Sequence, residues 1–203
     1  MKASVILSHP YSESFNHAIF RTVCRTLDEL NVEVFKHDLY LENFNPVLSV
    51  NELGTDSSND PLVNQYTAEM MESDLLVFIH PNWWGQPPAI LKGYIDRIFR
   101  PPHAYDFSEK EGAGGVPEPK LCGKYGIVFN TSNTAEERET DFFGDPLESI
   151  WKQCIFAFCG IGGYYRKMFR IVSDSDQALR EKWLLEAEQA VEGIVRDFSK
   201  TGG

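Results

Sequence analysis

The chain has 203 residues, 42% of them hydrophobic and 24% charged, with a formal net charge of −11. One folded domain over residues 1–203 with a sizeable core is expected, and disorder or a fibrous form is excluded. So acidic a chain lacks the basic footprint of sequence-independent nucleic-acid binding and is equally unsuited to an anionic membrane surface.

The N-terminal apolar run, Val5 to Leu7, is too short for a secretory signal, and no later run reaches the roughly 20 apolar residues of a membrane span. No integral membrane segment and a cytoplasmic location are therefore expected. Residues 3–8 read as a buried strand. Residues 14–30 follow with Phe15, Ala18, Ile19, Val23, Leu27 and Leu30 on one helical stripe, and Ser12 or Ser14 can cap it. Residues 32–38 alternate apolar and polar, as a strand near a sheet edge does. After a long connection over 40–59, punctuated by Asn, Pro, Gly and Ser, a helix over 61–72 leads into the buried strand 74–80. Pro87 and Pro88 suit the start of a helix running to Phe99, which Pro101 and Pro102 stop. Residues 100–120, rich in Pro and Gly, read as a long loop. A fourth buried strand covers 124–130 and a helix covers 145–159, ended by Gly160, Gly162 and Gly163. A fifth strand at 164–172 precedes a C-terminal helix over 175–199, with Asp174 and Asp176 at its positive end. The four cysteines (Cys24, Cys122, Cys154 and Cys159) form no C-x-x-C pair and meet no histidine at zinc-ligand spacing. Buried reduced thiols and no metal site are expected.

Strands alternating with helices imply an α/β fold: a parallel sheet with helices on both faces. Ligands of such sheets bind beyond the carboxyl ends of the strands, which directs attention to the turns at 8–15, 80–88 and 130–145. The first, SHPYSESFN (8–16), has neither G-x-G-x-x-G nor G-x-x-x-x-G-K-[ST], which argues against a classical dinucleotide fold and a P-loop. It offers His9, Ser12, Ser14 and the free N–H groups of a helix N-terminus. These suit a phosphate, or serve as plain helix caps. The second, HPNWWGQPP (80–88), sets two tryptophans beside backbone donors, a wall for a planar heterocycle or a surface packed on a neighbour. The third, NTSNTAEERE (130–139), is small and polar, which is also ordinary turn chemistry.

With these turns in place, the chain resembles the NAD(P)H:quinone oxidoreductase family. That group includes diaphorase-type enzymes, modulator-of-drug-activity proteins and ancillary flavoproteins of potassium-efflux systems. The resemblance rests on SHPYSESFNHA (8–18), HPNWWGQPPAILKGYIDRIF (80–99) with HAYDF (103–107), NTS (130–132), FGD (143–145) and FCG (158–160). The second segment is the most specific. The resemblance implies a flavodoxin-like three-layer sandwich with five parallel strands in order 2-1-3-4-5. It implies a bound flavin, FAD or FMN, with NADPH or NADH as electron donor and a quinone, nitro or azo compound as acceptor, reduced by two-electron ping-pong hydride transfer. His9, Ser14, Phe15, Asn16 and Ala18 would then line the phosphate and ribityl region. Pro81, Asn82, Trp83, Trp84 and Gly85 would face the ring, with Asn130, Thr131 and Ser132 at its polar edge. Tyr105 and Trp84 would border the substrate and nicotinamide pocket, and Phe107 stands where a second tyrosine is usual. Glu139 falls near a family tyrosine, and Phe143 at a family histidine, both tied to charge on the reduced flavin. Arg100, Arg138 and Lys124 are candidates to meet a 2′-phosphate. A homodimer with flavin sites at the subunit interface is implied, and Trp151, Phe156 and the 100–120 loop are candidate partner contacts. The alternatives are a regulatory flavoprotein subunit of a membrane transporter and a one-electron carrier. The carrier's S/T-x-T-G-x-T turn is absent here.

Overall fold

A computed structural model describes residues 1–107 and 117–201. Its main sheet contains β1 (Lys2–Leu7), β2 (Glu33–Asp38), β3 (Leu75–Pro81), β6 (Tyr125–Thr131) and β7 (Gly163–Phe169), all parallel, in the order β2-β1-β3-β6-β7. Two further strands, β4 (Tyr105–Asp106) and β5 (Glu118–Pro119), pair antiparallel with each other. The expected 2-1-3-4-5 order holds once this small hairpin is counted separately. The hairpin is a correction to the reading of 100–120 as a loop throughout; the centre of that stretch, 108–116, lies outside the described residues.

The helices are α1 (Phe15–Glu29), α2 (Pro61–Glu72), α3 (Ala89–Ile98), α4 (Pro146–Ser149) and α5 (Gln177–Thr201). α4 continues as a π-helical run over Ile150–Ala157, a second π-helical turn covers Arg138–Phe142, and neither was expected from spacing. Ser14, not Ser12, caps α1, its Oγ accepting from the His17 N–H at 3.3 Å. α3 begins at Ala89 with Pro88 as its cap, so both prolines stand before the first helical residue rather than within the first turn. The fifth strand ends at Phe169, short of the expected 172, and a 3₁₀ turn at Val172–Asp174 leads toward α5.

The sheet is the middle layer of three. Along β1, β3 and β6, side chains alternate between two cores. Val5, Val77 and Ile127 face α1 and α5, whereas Ile6, Phe78 and Val128 face α2, α3 and the α4 region. Burial on both faces explains why these central strands read as unbroken apolar runs. Trp151 and Phe156 belong to the second core, fully buried against Phe78. They are therefore packing residues and not partner contacts. The 40–59 connection is fastened to α3: Arg97 donates to both Glu52 carboxylate oxygens, to Asp60 and to the Asn45 carbonyl, and Arg100 reaches the carbonyls of Glu52 and Thr55. Among the described residues no helix is long and apolar enough to cross a membrane, and no cluster of side chains suits a metal ion. All four cysteines are free; Cys24 and Cys159 are buried as expected, whereas Cys122 and Cys154 are exposed.

Candidate functional site

The turns after β1, β3 and β6 meet at the carboxyl edge of the sheet, where the chain switches from one side of β1 to the other. After β3, Trp83 and Gln86 exchange both backbone hydrogen bonds, at 3.0 and 3.1 Å. Trp84 and Gly85 form the tip, with φ of +58° and +71°. Positive φ at both tip residues is the signature of a type I′ turn, which glycine and asparagine favour and tryptophan does not. Asn82 fastens the turn: its Oδ1 accepts from the Gly85 N–H at 3.0 Å, and its Nδ2 donates to Glu139 at 2.9 Å. Trp84 is left wholly exposed.

Trp84, Gly85 and Asn82 form one wall of a cavity of about 680 Å³; Glu139, Phe143 and Pro146 form the other. Glu139 lines the cavity although it is buried, its carboxylate held by Asn82. Arg138 stands at the rim with its guanidinium over the Phe143 ring. A second hollow of about 490 Å³ shares Asn82, Asn133 and Thr134 with the first and continues past Pro81, Thr131 and Ser132 to His9, Ser14, Phe15 and Asn16. His9 Nδ1 accepts from the Tyr11 N–H, so the neutral ring carries its proton on Nε2, free to donate outward. Burial disfavours the charged ring and holds the His9 pKa below its ordinary value.

This second hollow has the donors of an anion site: the Phe15 and Asn16 N–H groups at the start of α1, together with the Ser132 hydroxyl, whereas the Ser14 hydroxyl is engaged by the His17 N–H and Nδ1. Asn16 donates to Thr131 Oγ1 at 2.8 Å, and its own carbonyl oxygen is buried without a partner. An unpartnered acceptor in a donor-rich groove fits a ligand that brings its own hydroxyls. Arg180 of α5 lines the same groove, a residue that helical periodicity had hidden among solvent-facing positions.

Three residues expected at the site stand elsewhere. Asn130 is wholly buried behind the turns, its amide engaged by His80 and Arg166, so its side chain does not reach the hollow. Ala18 lies one turn into α1 and packs against the core below. Tyr105 lines a different depression, with Phe99, Arg100 and Asp106, and packs its ring on Phe107 and Phe158; within one chain it does not join Trp84. Of the three cations named for a 2′-phosphate, Arg100 is buried on carbonyls and Lys124 is spent on the Met71 and Ser73 carbonyls, so only Arg138 faces the cavity.

With this geometry in view, the comparisons with known proteins are decisive for the family. A family model described as flavodoxin-like fold matches residues 1–191. The chain belongs to that family. It is 30% identical, over 93% of both chains, to a Haemophilus influenzae protein named an uncharacterized NAD(P)H oxidoreductase. It is also 30% identical to NAD(P)H dehydrogenase [quinone] 1 of Rattus norvegicus, over 78% of this chain and 65% of that one. Among solved structures, Smu.1420 of Streptococcus mutans superimposes with a TM-score of 0.82 at 31% identity, covering 95% of this chain and all of the other.

Proposed function

We propose that this member of the flavodoxin-like family is a flavin-dependent NAD(P)H oxidoreductase that reduces quinones and, through the same open face, azo or nitro compounds. The observation that carries the reading is the pair of joined hollows. One is a groove of helix N–H groups, hydroxyls and Arg180 suited to a phosphorylated chain. The other is an aromatic-walled cavity suited to a flat ring, and the two meet at Asn82. The oxidoreductase names of two relatives, each 30% identical, support it.

A bound flavin would supply the hydride chemistry, accepting two electrons from a nicotinamide and passing them to the second substrate. The protein's part is to hold and orient. Ser132 and the Phe15 and Asn16 N–H groups of α1, which Ser14 holds in place as the helix cap, would hold the phosphate, and Asn16 would meet a ribityl hydroxyl with its unpartnered oxygen. In the 81–85 turn the Asn82, Trp83 and Gly85 N–H groups are donated within the fold, so the Trp84 N–H would be the backbone donor presented to the ring edge, where a fixed dipole stabilises added negative charge without a titrating group. Arg138, which lines the cavity while Arg100 and Lys124 are held on backbone carbonyls, would meet the nicotinamide cofactor at the rim. Glu139 and Phe143 would form the wall facing Trp84.

The same reading includes a homodimer. Tyr105 and its neighbours Phe107 and Phe158 form a part-exposed aromatic patch away from Trp84, so Tyr105 would border the substrate only from a second copy. Four unpaired cysteines suit a reducing, cytoplasmic setting.

The test is direct. Purified protein is loaded with FMN or FAD, the unbound flavin is removed, and NADPH or NADH is added without oxygen. The yellow absorbance is expected to bleach and to return on addition of a quinone. Failure to retain either flavin, or a retained flavin that neither nucleotide bleaches, overturns the reading.

A further inference from the structure

The cavity between Trp84 and Phe143 has two walls from distant parts of the chain, and a line of buried polar side chains runs behind both. It begins at His80, the last apolar-flanked position of β3, which is fully buried. Its Nδ1 lies 2.8 Å from the Pro81 carbonyl. Its Nε2 is approached by Trp151 Nε1 at 3.0 Å and by Asn130 Nδ2 at 2.9 Å. Indole can only donate, so Nε2 is the bare nitrogen and the proton sits on Nδ1, donated to Pro81.

The line continues through Asn130, whose Oδ1 accepts from Arg166 Nε at 2.7 Å. Two further nitrogens of that guanidinium, Nη1 and Nη2, grip the two carboxylate oxygens of Asp145, each at 2.8 Å. Such a fork fixes direction as well as distance. Asp145 itself sits at φ +43°, and its N–H donates to the Glu139 carbonyl at 2.9 Å. Donors and acceptors thus alternate without a gap from Pro81, at the base of one wall, to Asp145 and Glu139, at the base of the other. Each of three neighbouring strands contributes one member: β3 His80, β6 Asn130 and β7 Arg166. The two walls also touch at their outer ends, where a Cβ on Gly85 would meet Pro146 at 3.1 Å.

A helix cap or a core hydrogen bond needs two partners. Here four side chains, one of them a fully buried imidazole and another a largely buried guanidinium, are joined in one path between two cavity walls. Groups this expensive to desolvate are kept where every partner is satisfied, and such a network rigidifies what it connects. We infer that His80, Asn130, Arg166 and Asp145 are positioning residues, a brace behind the cavity that sets the separation of the Pro81–Gly85 turn from the 139–146 wall. What the brace serves, the fit of a planar ring between Trp84 and Phe143, rests on the flavin reading; the brace itself does not.

The experiment compares the full-length wild type with Arg166→Met and Arg166→Lys, using two readouts. The first is hydrogen exchange of amides in the protein without added flavin. Asn82, Trp83, Gly85 and Gln86 on one wall, and Glu139, Phe143, Gly144 and Asp145 on the other, all donate hydrogen bonds and so report opening of each wall. Arg166→Met is expected to lower protection at both walls by about tenfold or more, while α1 and α5 keep theirs. Arg166→Lys keeps a charge for Asp145 but no fork to reach Asn130. It is expected to spare 139–145 and loosen 82–86, and it serves alone if the methionine variant does not fold. The second readout is the FMN dissociation constant, expected to rise about tenfold in Arg166→Met, as for other supporting residues one layer behind a site. Loss of protection at 139–145 with 82–86 unchanged overturns the brace, and so does a lower melting temperature with both walls still protected. A wild type that binds no flavin overturns the flavin reading, and the exchange comparison still decides the brace.

Discussion

Trp84 occupies a backbone position that its side chain disfavours. At φ +58° it lies in the left-handed region, where a residue with a Cβ is destabilised by about 1–2 kcal/mol relative to glycine. Its indole recovers none of this by burial, because it is fully exposed. A large aromatic kept strained and bare beside a cavity is the pattern of stability given up for binding. Replacing it with asparagine, which tolerates φ above zero, should relieve the turn. Trp84→Asn is expected to raise the unfolding free energy by about 0.5–1 kcal/mol, read from urea unfolding of the protein without added flavin, and to weaken FMN binding several-fold. A variant that is less stable than wild type, or that binds FMN as tightly, would show that the indole serves packing. The tryptophan pair drew attention in the sequence because two adjacent indoles in a turn are unusual. The turn type is not legible, since W-G is not among the pairs that signal a type I′ hairpin, and the layer that Asn130 faces is hidden for a related reason. A residue near the end of a buried strand gives no sign of which layer it faces when both layers are buried.

Elements show the same division between what periodicity carries and what it does not. The five sheet strands and the five helices were legible because their apolar spacing is set by the backbone: period two or continuous for strands, 3.6 for helices. The π-helical stretches were not legible, because widening the turn by one residue changes which groups bond without a compositional signal. The fastening of the 40–59 connection to α3 was also hidden, since it depends on Arg97 and Arg100 turning inward. Gly93 shows how close that fastening is. A Cβ there would overlap the Pro46 backbone, and beside it Arg97 holds the Asn45 carbonyl at 2.6 Å. In an ordinary exposed helix Gly→Ala would stabilise by about 1 kcal/mol. At Gly93 the overlap reverses the sign, and Gly93→Ala is expected to destabilise by about 2 kcal/mol, as overpacking does. A fall of several degrees in melting temperature, with the 45–60 segment becoming sensitive to proteolysis, is the expected result. A more stable variant would mean that the connection moves aside freely.

At the scale of the whole molecule, two cores clamp a sheet whose carboxyl edge carries the polar chemistry, and this arrangement fixes how acid unfolds it. Buried ionisable groups matter most, because their proton affinities differ most between folded and unfolded chains. His80 is the clearest. Burial, opposed in part by its bond to Pro81 and aided by the nearby Arg166 charge, lowers its pKa to about 4. The unfolded chain takes up this proton near pH 6.5, and the folded one only near pH 4. Between those values the unfolded state binds more protons, so stability falls as pH falls through that window, by about 3 kcal/mol for this one group. Glu52 follows at lower pH. Burial alone would raise its pKa, but hydrogen bonds from Arg97, the Ser49 N–H and Ser58 outweigh it and bring the value to about 2. Its ion pair with Arg97 therefore adds stability above pH 4.5 that is lost as pH drops toward 2. Acid unfolding should thus come in two stages, the cavity brace failing before the fastening of the 40–59 connection. Urea midpoints from pH 7 to pH 4 test the first stage, with His80→Gln as the comparison. The variant is less stable at pH 7 but has no imidazole at position 80 to protonate, so its midpoint should fall less steeply between pH 6.5 and 4, and the two curves should converge. Parallel curves would place the early acid sensitivity on other groups and leave His80 without a part in it.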